Sequence, residues 1–217
     1  NLQGANLTRS ILTAATLAEA NLTEASLSGA ELTGTVLKAV ILADAKVAGT
    51  NVSVALPDLA TVDLSGADLT GSNLSRLNLS EADLREAILT TTNFSGADLQ
   101  EANLSATNAS RAALPTADLR SANLANANLS YADLSGARLA QSNLSGATLA
   151  NARLAGIDLR KVELNQIKGT LAGVDLSLAN LAGLELRSMG LPAAKLDGAN
   201  FSQAVLPDAN LDRARLL

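Results

Sequence analysis

The sequence repeats every five residues, and this period constrains the fold more than any other feature. In the stretch SANLANANLSYADLSGARLAQSNLSGATL, from Ser121 to Leu149, a leucine occupies every fifth position. On an α-helix, a step of five residues turns by about 140°, so these leucines would spiral around all sides. On a flat strand, an odd step changes the face each time. Neither structure gathers the leucines on one buried surface.

Two other positions of the repeat are also biased. With the leucine taken as the centre, alanine prevails two residues before it, here called the small position. Asn or Asp prevails directly before the centre, at the outward position, so the unit reads A-(N/D)-L-x-x. Across three extended residues, Ala and Leu point one way and Asn or Asp points the other. If each pentad is a short strand plus a two-residue corner, all Ala and Leu side chains face a common interior, and the coils stack through backbone hydrogen bonds.

The repeat covers the chain in three registers, whose centres run from Leu2 to Val52, from Leu59 to Leu164 and from Leu171 to Leu216. We predict one domain over residues 1–217, with two-residue register shifts near 53–58 and 165–170. The sequence does not determine which two residues are extra at each shift. A shift is compatible with a corner bulge without function or with a small protrusion used in recognition, which would carry Lys168 at the second shift.

Runs such as ANLANANLSYADLSG (Ala122–Gly136), GADLTGSNLS (Gly66–Ser75) and GANLTRS (Gly4–Ser10) resemble the A(D/N)LXX unit of the pentapeptide-repeat family. The resemblance extends over essentially the whole chain. It implies an all-β fold, a right-handed quadrilateral parallel β-helix, with about 10–11 stacked coils. The handedness and the four-sided section are implied by the resemblance, whereas the period and the inward Leu/Ala pair follow from the residues.

The composition excludes most types of catalytic and metal-binding site. The chain has no His and no Cys, so the common catalytic triads, histidine general bases and thiolate zinc sites are missing. No dinucleotide-binding or phosphate-binding loop motif occurs. Carboxylates recur, but at outward positions of a convex surface without a cleft to desolvate them. We therefore predict no catalytic, cofactor-binding or metal site, no cofactor and no enzymatic activity.

Charge and hydropathy limit the partners. The net charge of −5 argues against direct nucleic-acid binding. No apolar run reaches the roughly 20 residues of a membrane helix, so no membrane partner is expected. The chain begins in mid-repeat without Met, as expected for a trimmed form, a processed form or the ordered part of a longer protein. A cytoplasmic location is slightly favoured, and an extracytoplasmic or lumenal one stays open because the native N-terminus is not defined.

The outward surface is the candidate site, and acids collect on one side of it. We assign each charged residue to one of four faces by its pentad number, on the assumption that each shift leaves the face count unchanged. One face then collects Glu24, Asp44, Asp63, Asp83, Glu86, Glu163, Glu185 and Asp208, against Arg85 and Arg187. We predict that this acidic face binds a partner.

Two further surface features are candidates. Tyr131, the lone outward aromatic residue, and Lys168 are candidate contact residues. Leu216 and Leu217 lie in a last coil without a polar cap. They are expected to stack on a second copy of the chain, a helix or further protein.

Two functions are compatible with such a chain. The first is a non-catalytic rigid solenoid that acts as a scaffold or protein-interaction module with unidentified protein partners. The alternative comes from the resemblance, because some members of the family bind DNA gyrase as DNA mimics and protect it from quinolones. The acidic face is compatible with mimicry, but the pentads centred at Leu104, Leu124 and Leu144 carry no acid there. The net charge is also sparse beside DNA, which carries about one charge per 1.7 Å, so the scaffold is favoured.

Overall fold

The fold is a stack of four-sided coils. The computed structural model describes residues 1–52, 59–162, 171–186 and 190–216. Parallel bridges join outward positions 20 residues apart, as in Asn6–Ser26 and Asp63–Asp83. Twenty residues are four pentads, so each coil has four sides. Within the described residues the strands are single bridges separated by two-residue turns, without an α-helix, and the bridges extend from Asn6 to Arg215.

Two steps of the stack are longer than the others. The pairs Ile41–Asp63 and Lys46–Asp68 are 22 residues apart, and so are Arg153–Asp175 and Asp158–Asn180. Each of these pairs still advances by four pentads, so every face continues across the longer steps. The segments for which we predict register shifts, near 53–58 and 165–170, lie outside the described residues.

Backbone hydrogen bonds tie each coil to the coils on both sides. The Asn103 N–H donates to the Ala82 carbonyl at 2.9 Å, in the preceding coil. The next N–H along the chain, that of Leu104, donates in the other direction to Asn123, at 2.7 Å. Stacking therefore satisfies the polar groups that each short strand leaves unpaired.

The interior is filled by the centres and the small positions. From Leu22 to Leu196, the buried apolar side chains are at most 6% exposed, and Leu84, Ala87 and Phe94 are fully buried. Threonine also occurs at small positions, where its hydroxyl donates to a backbone carbonyl, in three cases that of the preceding coil and in the case of Thr107 that of its own coil. Thr92 Oγ1, for example, lies 2.8 Å from the Leu69 carbonyl oxygen. The period thus produces one continuous core, and its buried hydroxyls are hydrogen-bonded with the exception of Ser142.

The corners have a left-handed backbone. The residue at the second corner position, two after each centre, has a φ between 53° and 72° at every described corner except that of Lys161. At a typical corner, the Ala82 N–H donates to the Leu79 carbonyl at 3.1 Å around Glu81 (φ 58°). A positive φ at this place is the signature of a type II turn. The conformation costs a non-glycine residue about 1–2 kcal/mol, and the Glu81 N–H offsets part of this cost by donating to Gln100 at 2.8 Å in the next coil.

Candidate interaction surface

Most outward Asn and Asp side chains stabilise the following turn. Asp63 Oδ1 accepts hydrogen bonds from the Ser65 N–H at 3.0 Å and from the Ser65 hydroxyl at 2.7 Å. Asn21 accepts the Thr23 N–H in the same way, at 2.9 Å. An Asn and an Asp offer the same acceptor oxygen, so the fold requires one of the two and leaves the charge free to vary.

The predicted acidic face consists of two structurally different groups. Asp63, Asp83 and Glu185 occupy outward positions in the middle of the face. A second group occupies exposed second corner positions at the edge of the same face and is here called the acidic corner: Glu24, Asp44, Glu86 and Asp208. The acidic-corner side chains do not cap turns, so they are the carboxylates available to a partner. Glu163 lies outside the described residues.

Arg85 offsets part of the charge of this face. Its Nε and Nη2 both donate to the Asp83 carboxylate, with Nη2 2.6 Å from Oδ2. This charge-assisted hydrogen bond lowers the pKa of Asp83, against an opposing effect of burial. Arg187, the other base of this face, lies outside the described residues.

Where the acidic residues are interrupted, the same face carries a ladder of asparagine amides. Asn123 Nδ2 donates to Asn103 Oδ1 at 3.1 Å, and Asn143 Nδ2 donates to Asn123 Oδ1 at 3.2 Å. The three amides stack on consecutive coils. Along these three coils, the outward positions of the face are therefore uncharged, and their side chains hydrogen-bond to one another.

Tyr131 is accessible and has a cationic neighbour. It occupies a second corner position with φ 63°, and 57% of the residue is exposed. The Arg111 guanidinium carbon, one coil earlier on the same corner, lies 5.7 Å from the ring centroid, within the range of a cation–π contact. Tyr and Arg are enriched among residues that dominate binding energy. The sequence reasoning missed Arg111, although its 20-residue spacing from Tyr131 is the coil length.

The remaining candidates are exposed or lie outside the described part. Leu216 is 59% exposed, whereas Lys168 and Leu217 are outside the described residues. Among the residues that the structure describes, no cluster of three or more acidic side chains is placed to hold a metal ion. In the same residues, no helix has the length and apolarity needed to cross a membrane.

Acid is expected to destabilise the fold through Asp118. Hydrogen bonds from Arg120 lower the pKa of Asp118 below its ordinary value of 3.8, with a further contribution from Arg138 at 3.0 Å. A carboxylate with a lowered folded-state pKa contributes stability above the unfolded pKa, and this contribution is lost as the pH falls through the folded value. Urea unfolding between pH 6 and pH 2.5 should therefore show a smaller decrease in stability for Asp118→Asn than for the unsubstituted protein.

The matched control for this prediction is Asp68→Asn. Asp68 occupies an equivalent outward position and accepts the Thr70 N–H at 3.0 Å, and no ion pair involves it within the described residues. Its substitution removes a turn-capping carboxylate without removing an arginine pair, so it separates the effect of the pairs of Asp118 from that of the cap. An equal decrease for all three proteins would show that the arginine pairs of Asp118 do not contribute to acid stability.

The geometry defines a class of protein, and comparison with known proteins defines the family. The stacked four-sided coils form a right-handed β-solenoid. The profile of the pentapeptide-repeat family, described as pentapeptide repeats in eight copies, matches residues 1–38, 63–100, 97–130, 127–166 and 193–216. The chain belongs to the pentapeptide-repeat family.

Solved structures of the same family resemble the chain to different degrees. One of them is HetL, a pentapeptide repeat protein involved in heterocyst differentiation regulation in the cyanobacterium Nostoc sp. strain PCC 7120. HetL is 33% identical in sequence to this chain, and the match covers 99% of this chain and 90% of HetL, with a TM-score of 0.39. Full-length QnrB1, a plasmid-mediated fluoroquinolone resistance protein, is 17% identical, over 95% of this chain and 91% of QnrB1, with a TM-score of 0.33. No protein with a curated description matches the chain.

Proposed function

We propose that the protein is a non-catalytic, rigid scaffold that binds a protein partner on its outer surface. One observation carries the proposal: apolar side chains fill the interior of the stack, together with a few hydroxyls that are hydrogen-bonded except for that of Ser142, and these buried residues are at most 6% exposed. A filled interior leaves only the outside for recognition. Hydrogen bonds along the axis hold that outside in a fixed arrangement, so binding requires little reorganisation.

One side of the stack suits a partner best. The acidic corner borders one edge of the face whose outward residues include Asp68, Ile88 and Asn108. The corner of Arg111 and Tyr131 borders the other edge. Ile88, between them, is 43% exposed. We propose that a partner with basic side chains covers this face, with Tyr131 as an anchor at one edge and the acidic corner at the other.

Photo-crosslinking followed by charge reversal tests this surface. A photoreactive side chain at position 131 should form a discrete adduct with the partner, and one at Thr116, on the next corner, should not. The triple substitution Glu24→Lys, Asp44→Lys and Glu86→Lys should then weaken binding of the identified partner by about tenfold or more. It replaces three carboxylates by ammonium groups, which repel the basic side chains of the partner.

The chain provides a matched control for the triple substitution. Glu19, Glu81 and Glu101 also occupy exposed second corner positions with positive φ, but on the preceding corner of the coil. Their substitution by lysine changes the net charge equally and should leave binding intact. Equal losses for the two triple variants would show that net charge, and not this surface, determines binding.

The gyrase-binding alternative requires a continuous row of available carboxylates. Arg85 binds the Asp83 carboxylate, and the asparagine ladder occupies three consecutive coils of the face. The likeness to QnrB1 concerns the fold alone at 17% identity. We therefore favour the scaffold. A supercoiling assay with and without a quinolone separates the two, because gyrase protection at micromolar protein would support the DNA mimic.

A further inference from the structure

A rung of the backbone ladder is missing between the strands of Leu139 and Asp158. Below it, the Leu119 N–H donates to the Arg138 carbonyl at 2.8 Å, and above it the Leu159 N–H donates to the Asn180 carbonyl at 3.0 Å. The equivalent bonds between the strands of Leu139 and Asp158 are not formed, and no bridge joins Arg138 to Asp158. The two coils therefore lack these backbone bonds on this side, and the Leu139 N–H has no backbone partner among the described residues.

The corner above the gap departs from the repeat. Lys161 is the one second corner position, among those described, whose φ is not positive. The Gln141 N–H below it donates to the Lys161 carbonyl at 3.0 Å. At a regular corner, the equivalent N–H donates to the carbonyl of the first corner position, which directly follows the centre. The Glu101 N–H, for example, donates to the Arg120 carbonyl. The corner is thus displaced by one residue.

The displacement opens a cleft of about 300 Å³ between the two coils. Four charged residues line this cleft: Arg120, Arg138, Asp158 and Lys161. A second opening adjoins it, shares Lys161 and is lined by Ser142. Ser142 is 5% exposed, and its hydroxyl has no hydrogen-bond partner in the part of the chain that the structure describes. A buried hydroxyl without a partner is uncommon, and a bound acceptor would satisfy it.

The charges around the cleft are predominantly positive. Asp118 is bound by Arg120 at 2.7 Å and by Arg138 at 3.0 Å, and Asp158 is bound by Arg160 at 2.6 Å. Both carboxylates are therefore compensated. Lys161 forms no ion pair within the described residues, and each arginine has five N–H donors, of which these pairs use only some. The cleft thus offers cationic donors and the backbone N–H of Leu139, and the adjoining opening adds the Ser142 hydroxyl.

We propose that this cleft binds a small molecule through a phosphate group. A phosphate has several acceptor oxygens and a negative charge, which match the donors of Lys161, Arg138 and Leu139 in the cleft and that of Ser142 in the adjoining opening. The volume admits a phosphate and a small organic group. The site is independent of the partner-binding surface, so either proposal stands if the other fails.

Calorimetric titration of the 217-residue protein with inorganic phosphate and with glycerol 3-phosphate tests the site. Saturable binding at one site is expected for at least one ligand. Equal affinities would show that the phosphate alone is recognised, and tighter binding of glycerol 3-phosphate would show that the organic group contributes. Phosphate binding should also shift the Leu139 amide resonance and leave that of Leu84, in the regular part of the stack, unchanged.

Substitutions locate the binding within the cleft. Lys161→Ala and Arg138→Gln should each weaken binding by about tenfold or more, because each removes a charge-assisted hydrogen bond. Lys46→Ala and Arg153→Gln are the controls. Arg153 occupies the same outward position as Arg138 and has a comparable ion pair, with Asp133 at 3.3 Å. The absence of saturable binding, or equal binding by Lys161→Ala and Lys46→Ala, would overturn the proposal.

Discussion

Replacement of Phe94 by alanine is expected to lower the free energy of unfolding by about 3–5 kcal/mol. Phe94 is one of two phenylalanines at centres and is fully buried. Its column places it between Leu74 and Leu114, and its N–H donates to Ala113 at 2.7 Å. The axial hydrogen bonds fix the distance between coils, so neighbouring coils cannot collapse into the space that the ring leaves. Urea unfolding measures the loss.

Phe94→Leu is the control for this substitution. Leucine occupies almost all of the remaining centres, so the stack already accommodates it. The expected decrease in the free energy of unfolding is therefore below about 1.5 kcal/mol. Similar costs for the Ala and Leu variants would show that the coils close around the vacated volume. In that case the stack would be more compliant along its axis than the hydrogen-bond ladder indicates.

Replacement of Asn123 by proline should destabilise the protein by about 3 kcal/mol or more. The Asn123 N–H donates to the Ala102 carbonyl at 2.9 Å, and its side chain bonds to Asn103 and Asn143. Proline removes the ladder donor and the amide together, so the carbonyl of the buried Ala102 and the Oδ1 of Asn103 lose these donors. Thermal and urea unfolding should both show the loss.

Ala125→Pro tests the same change of residue two positions later. The Ala125 N–H bonds only to the Asn123 side chain, at 3.2 Å, and natural prolines stand at the same first corner position: Pro115, Pro192 and Pro207. Proline also suits this place in a type II turn. The expected change is within about 1 kcal/mol. A loss as large as that of Asn123→Pro would mean that the corners, and not the ladder, limit the tolerance for proline.

The period and the direction of side chains were predictable from the sequence because they depend only on alternation along an extended chain. Ala87 and Leu89 are buried, and Ile88 between them is exposed, as the A-(N/D)-L unit requires. The family resemblance supplied the four-sided section, and bridges between residues 20 apart agree with it. The same spacing places Arg111 beside Tyr131.

The role of individual charges was not predictable from the face count. A carboxylate at an outward position and an arginine two residues later meet because the turn brings them together, as in Asp83 and Arg85. The recurring tripeptide D-L-R, which also spans Asp118–Arg120 and Asp158–Arg160, was the available signal. The irregular corner of Lys161 has no such signal, because it depends on how two coils separate in three dimensions.

The left-handed corners have a consequence for how such a chain can fold. Glu81, Thr91 and Tyr131 each adopt a backbone conformation that is disfavoured in isolation, and hydrogen bonds to an adjacent coil stabilise it. A single coil therefore has neither a buried core nor stable corners. Assembly requires a nucleus of several coils and then proceeds by addition at an existing end, so the finished stack acts as the template for its own next turn.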